Sequence, residues 1–260
     1  MPELTAITQN RSLIITVIAV ICFIAELTIP KIDFKKKDKR IAHNIILALL
    51  SSISIALISQ FTLKNYSSIN GLFHYLALSP ILQTLLSILI LDFFIYIQHR
   101  ASHKIPIFWK LHRIHHLDRR IDLSSGFRFH TLEIILSFLY KLLLIQIFSI
   151  QWQDYLLFEI ILTGMSFFTH SNIRMPKKLN RILQFFIVTP SYHLIHHSIK
   201  ENETNSRYCF FLTIWDKLLG TYSKNEYNSE SNIVTGLENH HSESSIDEHK
   251  SIWDLLMLKK

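Results

Sequence analysis

Residues 82–103 read LQTLLSILILDFFIYIQHRASH. The apolar run Ile81–Gln98 is close to the roughly 20 residues that a membrane-crossing helix needs, and it carries one charge, Asp92. It runs directly into His99-Arg-Ala-Ser-His103, an HxxxH motif. Positions i and i+4 share a helix face, so this stretch predicts a membrane helix that delivers two imidazoles to its end.

Four more apolar stretches surround it: Ser12–Pro30 (interrupted by Glu26), Ile41–Leu63, Leu132–Ile150 and the shorter Tyr155–Phe168, the last two separated by Gln151-Trp152-Gln153-Asp154. A break that short predicts a helical hairpin that crosses the membrane incompletely. The first stretch has a weak basic flank and no small-residue cleavage motif after it, so it is read as a retained span. Only 5 Gly and 6 Pro occur in 260 residues, which argues against a strand-and-turn architecture. The expected fold is all-α: four to five membrane helices under a helical cap that carries the histidines.

Lysine and arginine set the expected orientation. The segments 31–40, 64–80, 99–130 and 151–154 carry six, one, seven and none. An alternating series places the first and third on the cytoplasmic side. The chain after His170 then lies there as well, and all the clustered histidines face one compartment. The formal charge of +7 flanks apolar blocks, which points to anionic headgroups and topology rather than to nucleic acid. Cys22 and Cys209 are too few and too far apart for a disulfide framework or a cysteine metal site.

Histidine is the compositional outlier. Of 15 residues, ten lie between His99 and His197. After the HxxxH come two HxxHH motifs, His112-Arg-Ile-His115-His116 and His193-Leu-Ile-His196-His197. Positions i, i+3 and i+4 allow each motif to present two or three imidazoles to a common point. Pro106 is expected to end the first helix and let the second motif fold back. Thr189-Pro190 reads as an N-cap with proline at the first helical position. Eight imidazoles exceed the four ligands of a single zinc and suit two metals. Imidazole also suits iron, copper and nickel, so ligand type leaves the metal open. His43, His74, His240, His241 and His249 lack spacing partners and receive no role.

These motifs resemble those of the fatty acid hydroxylase/sterol desaturase superfamily of membrane oxygenases. The resemblance runs from about Leu91 to Tyr222, through Asp92-x3-Tyr96-x2-His99-Arg100-x2-His103, Leu111-His112-x2-His115-His116 and Arg128-x-His130-x2-Glu133. It continues through Phe168-Thr-His170-Ser-Asn172, Thr189-Pro190-x2-His193-x2-His196-His197-Ser198 and Trp215-Asp-Lys-Leu-Leu-Gly-Thr-Tyr222. Where the family often has Asn-Tyr-Gly, this chain has Arg207-Tyr208-Cys209. The resemblance implies two irons, O2 as co-substrate, and hydroxylation or desaturation of a sterol or fatty-acyl lipid. Loss of one hydrogen followed by oxygen return gives an alcohol; a second hydrogen loss gives an alkene. It also implies that His99, His103, His112, His115, His116, His193, His196 and His197 are metal ligands, with His170 a ninth and His130 either a ligand or a support.

Around them, Asp92, Tyr96, His130, Glu133 and Asn172 are the expected supporting residues of the reaction. Asp92, Tyr96, His99 and His103 form one helical stripe, and a buried Asp there is expected to accept the N–H of a ligating imidazole. Glu133 is a second acidic support or a helix N-terminal charge. Arg100 and Arg113 read as interfacial anchors, Trp109 and Trp215 as packing aromatics, and Trp215–Tyr222 as the lock of the cap. No nucleotide-binding, serine-hydrolase or HExxH motif is present, and no fused haem-binding segment. Electrons are therefore expected from a separate ferredoxin- or cytochrome b5-type donor with its reductase.

The expected division is 1–80 for N-terminal membrane helices, 81–223 for the catalytic domain and 224–260 for a polar, mobile tail. A short chain without signal peptide or retrieval ending, rich in Ile, Lys and Asn, suggests a bacterial inner membrane. The alternatives are a membrane metal-binding or transport protein and an inactive structural relative. Transport would place ionisable residues along the spans. Apart from Glu26, Asp92, Glu133, Lys141 and Glu159, the charges lie outside them.

Overall fold

The computed structural model describes residues 2–32, 40–64, 70–223, 233–237 and 252–257. The proposed tail 224–260 and most of the basic 31–40 segment lie largely outside these residues. Twelve α-helices are described: α1 Pro2–Gln9, α2 Arg11–Thr28, α3 Arg40–Lys64, α4 Pro80–Lys104, α5 Pro106–His116, α6 Thr131–Phe148, α7 Trp152–His170, α8 Lys177–Leu183, α9 Pro190–His196, α10 Glu201–Thr204, α11 Ile214–Leu218 and α12 Ile252–Leu256. Among the described residues there is no strand, only isolated bridges such as Ile187 with Leu212.

Four helices are long and apolar enough to cross a membrane: Arg11–Thr28, Arg40–Thr62, Pro80–Lys104 and Thr131–Phe148. Their outward faces carry Leu27, Leu57, Ile81, Leu85 and Leu143, all exposed. In water such a surface would be a liability, whereas against acyl chains it is the expected one. The fifth stretch is different. It forms α7, a 19-residue helix that buries Tyr155, Phe158, Ile160 and Phe167 among its neighbours. The polar break is also shorter than the sequence implies. Trp152, Gln153 and Asp154 belong to the first turn of α7, because Thr84 and Ser87 of α4 donate to the Asp154 carboxylate at 2.7 and 3.3 Å.

Local signals place the helix ends. Ser79 Oγ accepts from Leu82 N ahead of Pro80 at the start of α4, and Thr189 caps α9 in the same way ahead of Pro190. Pro106 opens α5 immediately after α4 stops at Lys104. Ser149 ends α6 in a left-handed conformation at φ 54. Gly71 packs on that turn so closely that a β-carbon there would sit 2.5 Å from Gln146 O, which excludes every other residue type.

The helices alternate in direction, so the ends of α2, α4 and α7 and the starts of α3, α5 and α6 gather on one side. Pairings across these ends confirm it. Asn172, just beyond α7, exchanges hydrogen bonds with Ile32, and Arg40 at the start of α3 reaches Asp118 beyond α5. Lys31, Arg40 and the lysine- and arginine-rich stretch 99–130 therefore share the histidine side.

Candidate metal centre

The last two turns of α4 supply His99 and His103; α5 supplies His112, His115 and His116; α7 ends on His170; α9 supplies His193 and His196, with His197 as its C-cap. Nine imidazoles from four helices resolve into two groups. One comprises His99, His103, His112, His116 and His196, the other His115, His170, His193 and His197. Within each group one donor atom per residue lies within 4.8 Å of every other. All are buried except the half-buried His103.

The HxxHH motifs do not each serve one point. In each, the residues at i and i+4 go to one group and the residue at i+3 to the other. On a 3.6-residue helix, i+3 and i+4 fall on opposite sides of i, so a motif seated between two sites divides two to one. His116 and His197, from different groups, lie with ring centroids 4.6 Å apart, which makes the groups immediate neighbours.

Five imidazoles have an oxygen acceptor at Nδ1. His99 meets Tyr208 O at 2.7 Å, His112 meets Glu133 Oε1 at 2.6 Å and His196 meets Ser206 O at 2.7 Å. His115 meets Arg128 O at 3.2 Å and His170 meets Ser166 O at 2.7 Å. A carbonyl or carboxylate can only accept, so these five nitrogens carry the proton and each Nε2 presents a lone pair. Those lone pairs converge: His99 Nε2 lies 3.1 Å from His112 Nε2, and His115 Nε2 lies 3.0 Å from His170 Nε2. Two lone pairs at that distance repel unless a cation lies between them. Both nitrogens of His103 and of His116 are buried without any partner. Burial first, and the neighbouring imidazoles second, push His115, His116, His193 and His197 well below the usual histidine value. Burial likewise brings His196 to about 3. Imidazole donors gathered in sets of five and four fit two metal ions.

The supporting residues fall into three places. Glu133, in the first turn of α6, holds His112. Asp92 accepts from Leu212 N at 3.2 Å and Trp215 Nε1 at 2.8 Å, and Tyr96 pairs with Thr221 at 2.8 Å. The stripe on α4 thus turns over along its length: histidines at its end face the centre, while Asp92 and Tyr96 clasp the 212–221 segment. The expected imidazole acceptor is instead a carbonyl, that of Tyr208, because this clasp brings the backbone of residues 206–208 over the histidines. His130 caps α6, with Nδ1 accepting from Leu132 N and Nε2 meeting Leu256 O at 3.1 Å, so neither nitrogen is left for a metal. Asn172 clasps Ile32 through its side chain. Among the described residues, no hydrogen bond of Asp92, Tyr96, His130 or Asn172 reaches one of the nine clustered imidazoles.

Residues the sequence reading passed over hold the centre together. Arg40 bonds Asp118 at 2.8 Å and also Asp122. Burial raises the Asp118 carboxyl, but Arg40 and Arg128, with the Ser125 hydroxyl and Arg120 N–H, outweigh it and hold the group below its usual value. Arg128 donates to Ile114 O at 2.9 Å and Asn44 Oδ1 at 3.1 Å while its own carbonyl meets His115. Phe129 stacks on His115 at 4.2 Å. The available signal was Asp118, two residues after His116, with no apolar role to fill. Arg207, where the family often has Asn, takes φ 55, a conformation Asn tolerates better than Arg. Its guanidinium lies 4.7 Å above both the Tyr192 and Tyr222 rings and donates to Ser223 O, which offsets the strain.

A cavity of about 680 Å³ opens beside the five-histidine group. His99, His112 and Glu133 line one end of it; Lys141, Tyr155 and Glu159 line it further along α6 and α7.

The sequence matches the fatty acid hydroxylase family over residues 84–221. Ornithine lipid hydroxylase of Rhizobium tropici is 28% identical over 155 residues, covering 59% of this chain and 46% of that protein. Alkylglycerol monooxygenase of Homo sapiens is 28% identical over 138 residues, covering 50% of this chain and 28% of that protein. Lathosterol oxidase of Homo sapiens is 26% identical over 196 residues, covering 73% and 63%. The chain thus spans less than half the length of the first two and under two thirds of the third. No solved structure matches.

Proposed function

The chain belongs to the fatty acid hydroxylase family, and on that premise we propose that it is a membrane-bound, O2-dependent di-iron oxygenase that hydroxylates or desaturates a lipid. One observation carries the reading: two adjacent sets of imidazoles lie five and four strong, and His99 and His112 of the first set line one end of a cavity inside the helix bundle.

In this reading His99, His103, His112, His116 and His196 hold one iron, and His115, His170, His193 and His197 the other. Iron bound there supplies the O2 and electron chemistry that side chains lack. The chain's own residues prepare it. The carbonyls of Tyr208, Ser206, Arg128 and Ser166 and the carboxylate of Glu133 keep the protons on Nδ1 of five imidazoles, so the Nε2 of each of those five stays a ligand. Glu133 sets a carboxylate behind His112, fixing that ring's orientation toward the metal. Ile95, Phe127, Phe129 and Phe210 line the cavity near the histidines, excluding bulk water and holding an aliphatic C–H against the five-histidine group.

The unit that does this is residues 81–223, with 1–80 completing the wall of the cavity. The charge alternation supports a centre on the cytoplasmic side, the Ile-, Lys- and Asn-rich composition a bacterial inner membrane, and the lack of a haem-binding motif in the sequence a separate ferredoxin- or cytochrome b5-type electron donor. The relatives' names specify an ornithine lipid, an alkylglycerol and lathosterol; a lipid drawn from the bilayer is their shared chemistry and is the class proposed here.

The test is the iron content of the purified protein together with O2 uptake dependent on added lipid, with products identified by comparing lipids from cells with and without the gene. About two irons and an oxygenated or unsaturated lipid are expected. Metal bound without lipid-dependent uptake would sink the oxygenase in favour of a metal carrier.

A further inference from the structure

Lys141 is the eleventh of the eighteen residues of α6 and so lies near the middle of a membrane span. Its Nζ donates to Glu159 Oε1 on α7 at 2.6 Å. Lys141 is buried and Glu159 half-buried. Two charges at that depth are costly, and such residues mark function more often than packing. A tie between two helices needs no charge, since an apolar pair of similar volume serves as well or better. Both residues line the cavity whose other end is His99, His112 and Glu133, and the hydroxyls of Ser137, Tyr155 and Thr163 line the same stretch. An ammonium has three donors, and the bond to Glu159 uses one, leaving donors on Lys141 and a second carboxylate oxygen for a group inside the cavity.

We propose that Lys141 and Glu159 bind the polar end of the lipid substrate inside the membrane, and that this end is an uncharged group that both donates and accepts, a hydroxyl or an amide. The inference rests on the oxygenase reading and narrows its substrate. The pair is neutral in sum, and the further cation lining the cavity, Arg11, is exposed, so its charge is screened by solvent. A free carboxylate or phosphate would set a second anion beside Glu159, and an amine a second cation beside Lys141, in surroundings of low dielectric. A hydroxyl meets both partners. Glu133 and Lys141 are eight residues apart on α6, which at about 1.5 Å per residue is about 12 Å. The carbon presented to the centre then lies roughly ten extended-chain bonds from the polar group, taking about 1.2 Å per bond of an extended chain. Oxidation falls on the chain, far from the headgroup.

The experiment follows thermal unfolding of the purified protein in detergent with four probes: hexadecan-1-ol, hexadecanamide, hexadecanoic acid and hexadecane. Apparent affinities come from the concentration dependence of the midpoint. The alcohol, the amide or both are expected to bind at least about tenfold tighter than the acid and the alkane, given the strength of hydrogen bonds to charged groups. Lys141→Met with Glu159→Leu removes both charges together and is expected to erase that preference at unchanged iron content. Should that variant fail to fold, Glu159→Gln leaves Lys141 as a lone cation and is expected to improve binding of the acid at least about tenfold. Equal binding of all four probes, a preference that survives the double variant, or no gain for the acid in Glu159→Gln would overturn the proposal and leave the pair a tie between α6 and α7. Binding needs no turnover. Preference without lipid-dependent O2 uptake therefore fails the oxygenase alone, and uptake without preference fails the polar anchor alone.

Discussion

The five-histidine and four-histidine groups share two helices and differ in what surrounds them. The group of five has a carboxylate behind one ligand, Glu133 behind His112, and it opens to the cavity through His99 and His112. The group of four is backed at His115 and His170 by carbonyls and the Thr169 hydroxyl, with no carboxylate, is screened by Phe129, and contributes no residue to the cavity wall. The two are thus unequal: one faces the cavity, and the other lies behind it. Helix α5 gives residues to both, so whatever positions α5 acts on the pair, and whatever touches a single ligand acts on one.

The sharpest way to break the contrast is to remove a ligand from each side. His170→Ala leaves three donors and His196→Ala leaves four. Both are expected to lose activity by more than about a hundredfold, since altering even the supports of a ligand costs tenfold to a hundredfold. Metal analysis should show a larger loss of iron from His170→Ala. Equal loss would mean that the groups are not separate sites.

Next in size is the clamp that serves both. Arg40→Ala removes the cation paired with Asp118 beyond the end of α5 and is expected to destabilise the protein by about 3–5 kcal/mol, read by thermal or denaturant unfolding, with metal binding by both histidine groups weakened alike. The same clamp has a pH signature. Asp118 is held below its usual value, so its contribution is fully present above the unfolded value of about 3.9 and fades as pH falls through the lower folded value. The wild-type unfolding midpoint should therefore show no loss from this group until pH drops below about 4. A loss setting in near pH 6 would show that the clamp is not what holds it.

Glu133→Gln probes one group only. It keeps the shape behind His112 and removes the charge, with an expected cost of about tenfold to a hundredfold in iron affinity or turnover. The iron of the five-histidine group should be the one lost. Smallest is Trp215→Phe, which removes one hydrogen bond to Asp92 at a cost of about 1 kcal/mol in stability and leaves iron content intact. A loss of iron there would mean that the clasp over residues 206–208 sets the carbonyls more tightly than one bond suggests.

These residues also mark how far the sequence can be read. The spans were legible because a membrane demands long apolar runs, and the proline and threonine signals at Pro106 and Thr189 fall where α5 and α9 begin. The histidines were legible because helical spacing puts i, i+3 and i+4 within reach of one another. Helix α1 was not, since Pro2–Gln9 carries little apolar pattern and is held through α7, where Gln153 donates to Thr5. Nor were the partners of Asp92 and Tyr96: a stripe on a helix gives direction but not what it meets. The left-handed Arg207 was equally out of reach, because the two aromatic rings that hold it come from residues 192 and 222.

What the sequence determined by itself is the inventory: four to five apolar stretches, eight imidazoles in three spaced motifs and the alternation of charge that gathers them on one side, all of which follow from periodicity and from the cost of moving polar groups into lipid. What only the tertiary structure decided is the division of that inventory. Which imidazole joins which group, and which oxygen holds its proton, depend on how α4, α5, α7 and α9 converge. Most of those oxygens belong to the backbone, which is the same at every position and leaves no trace in the order of side chains.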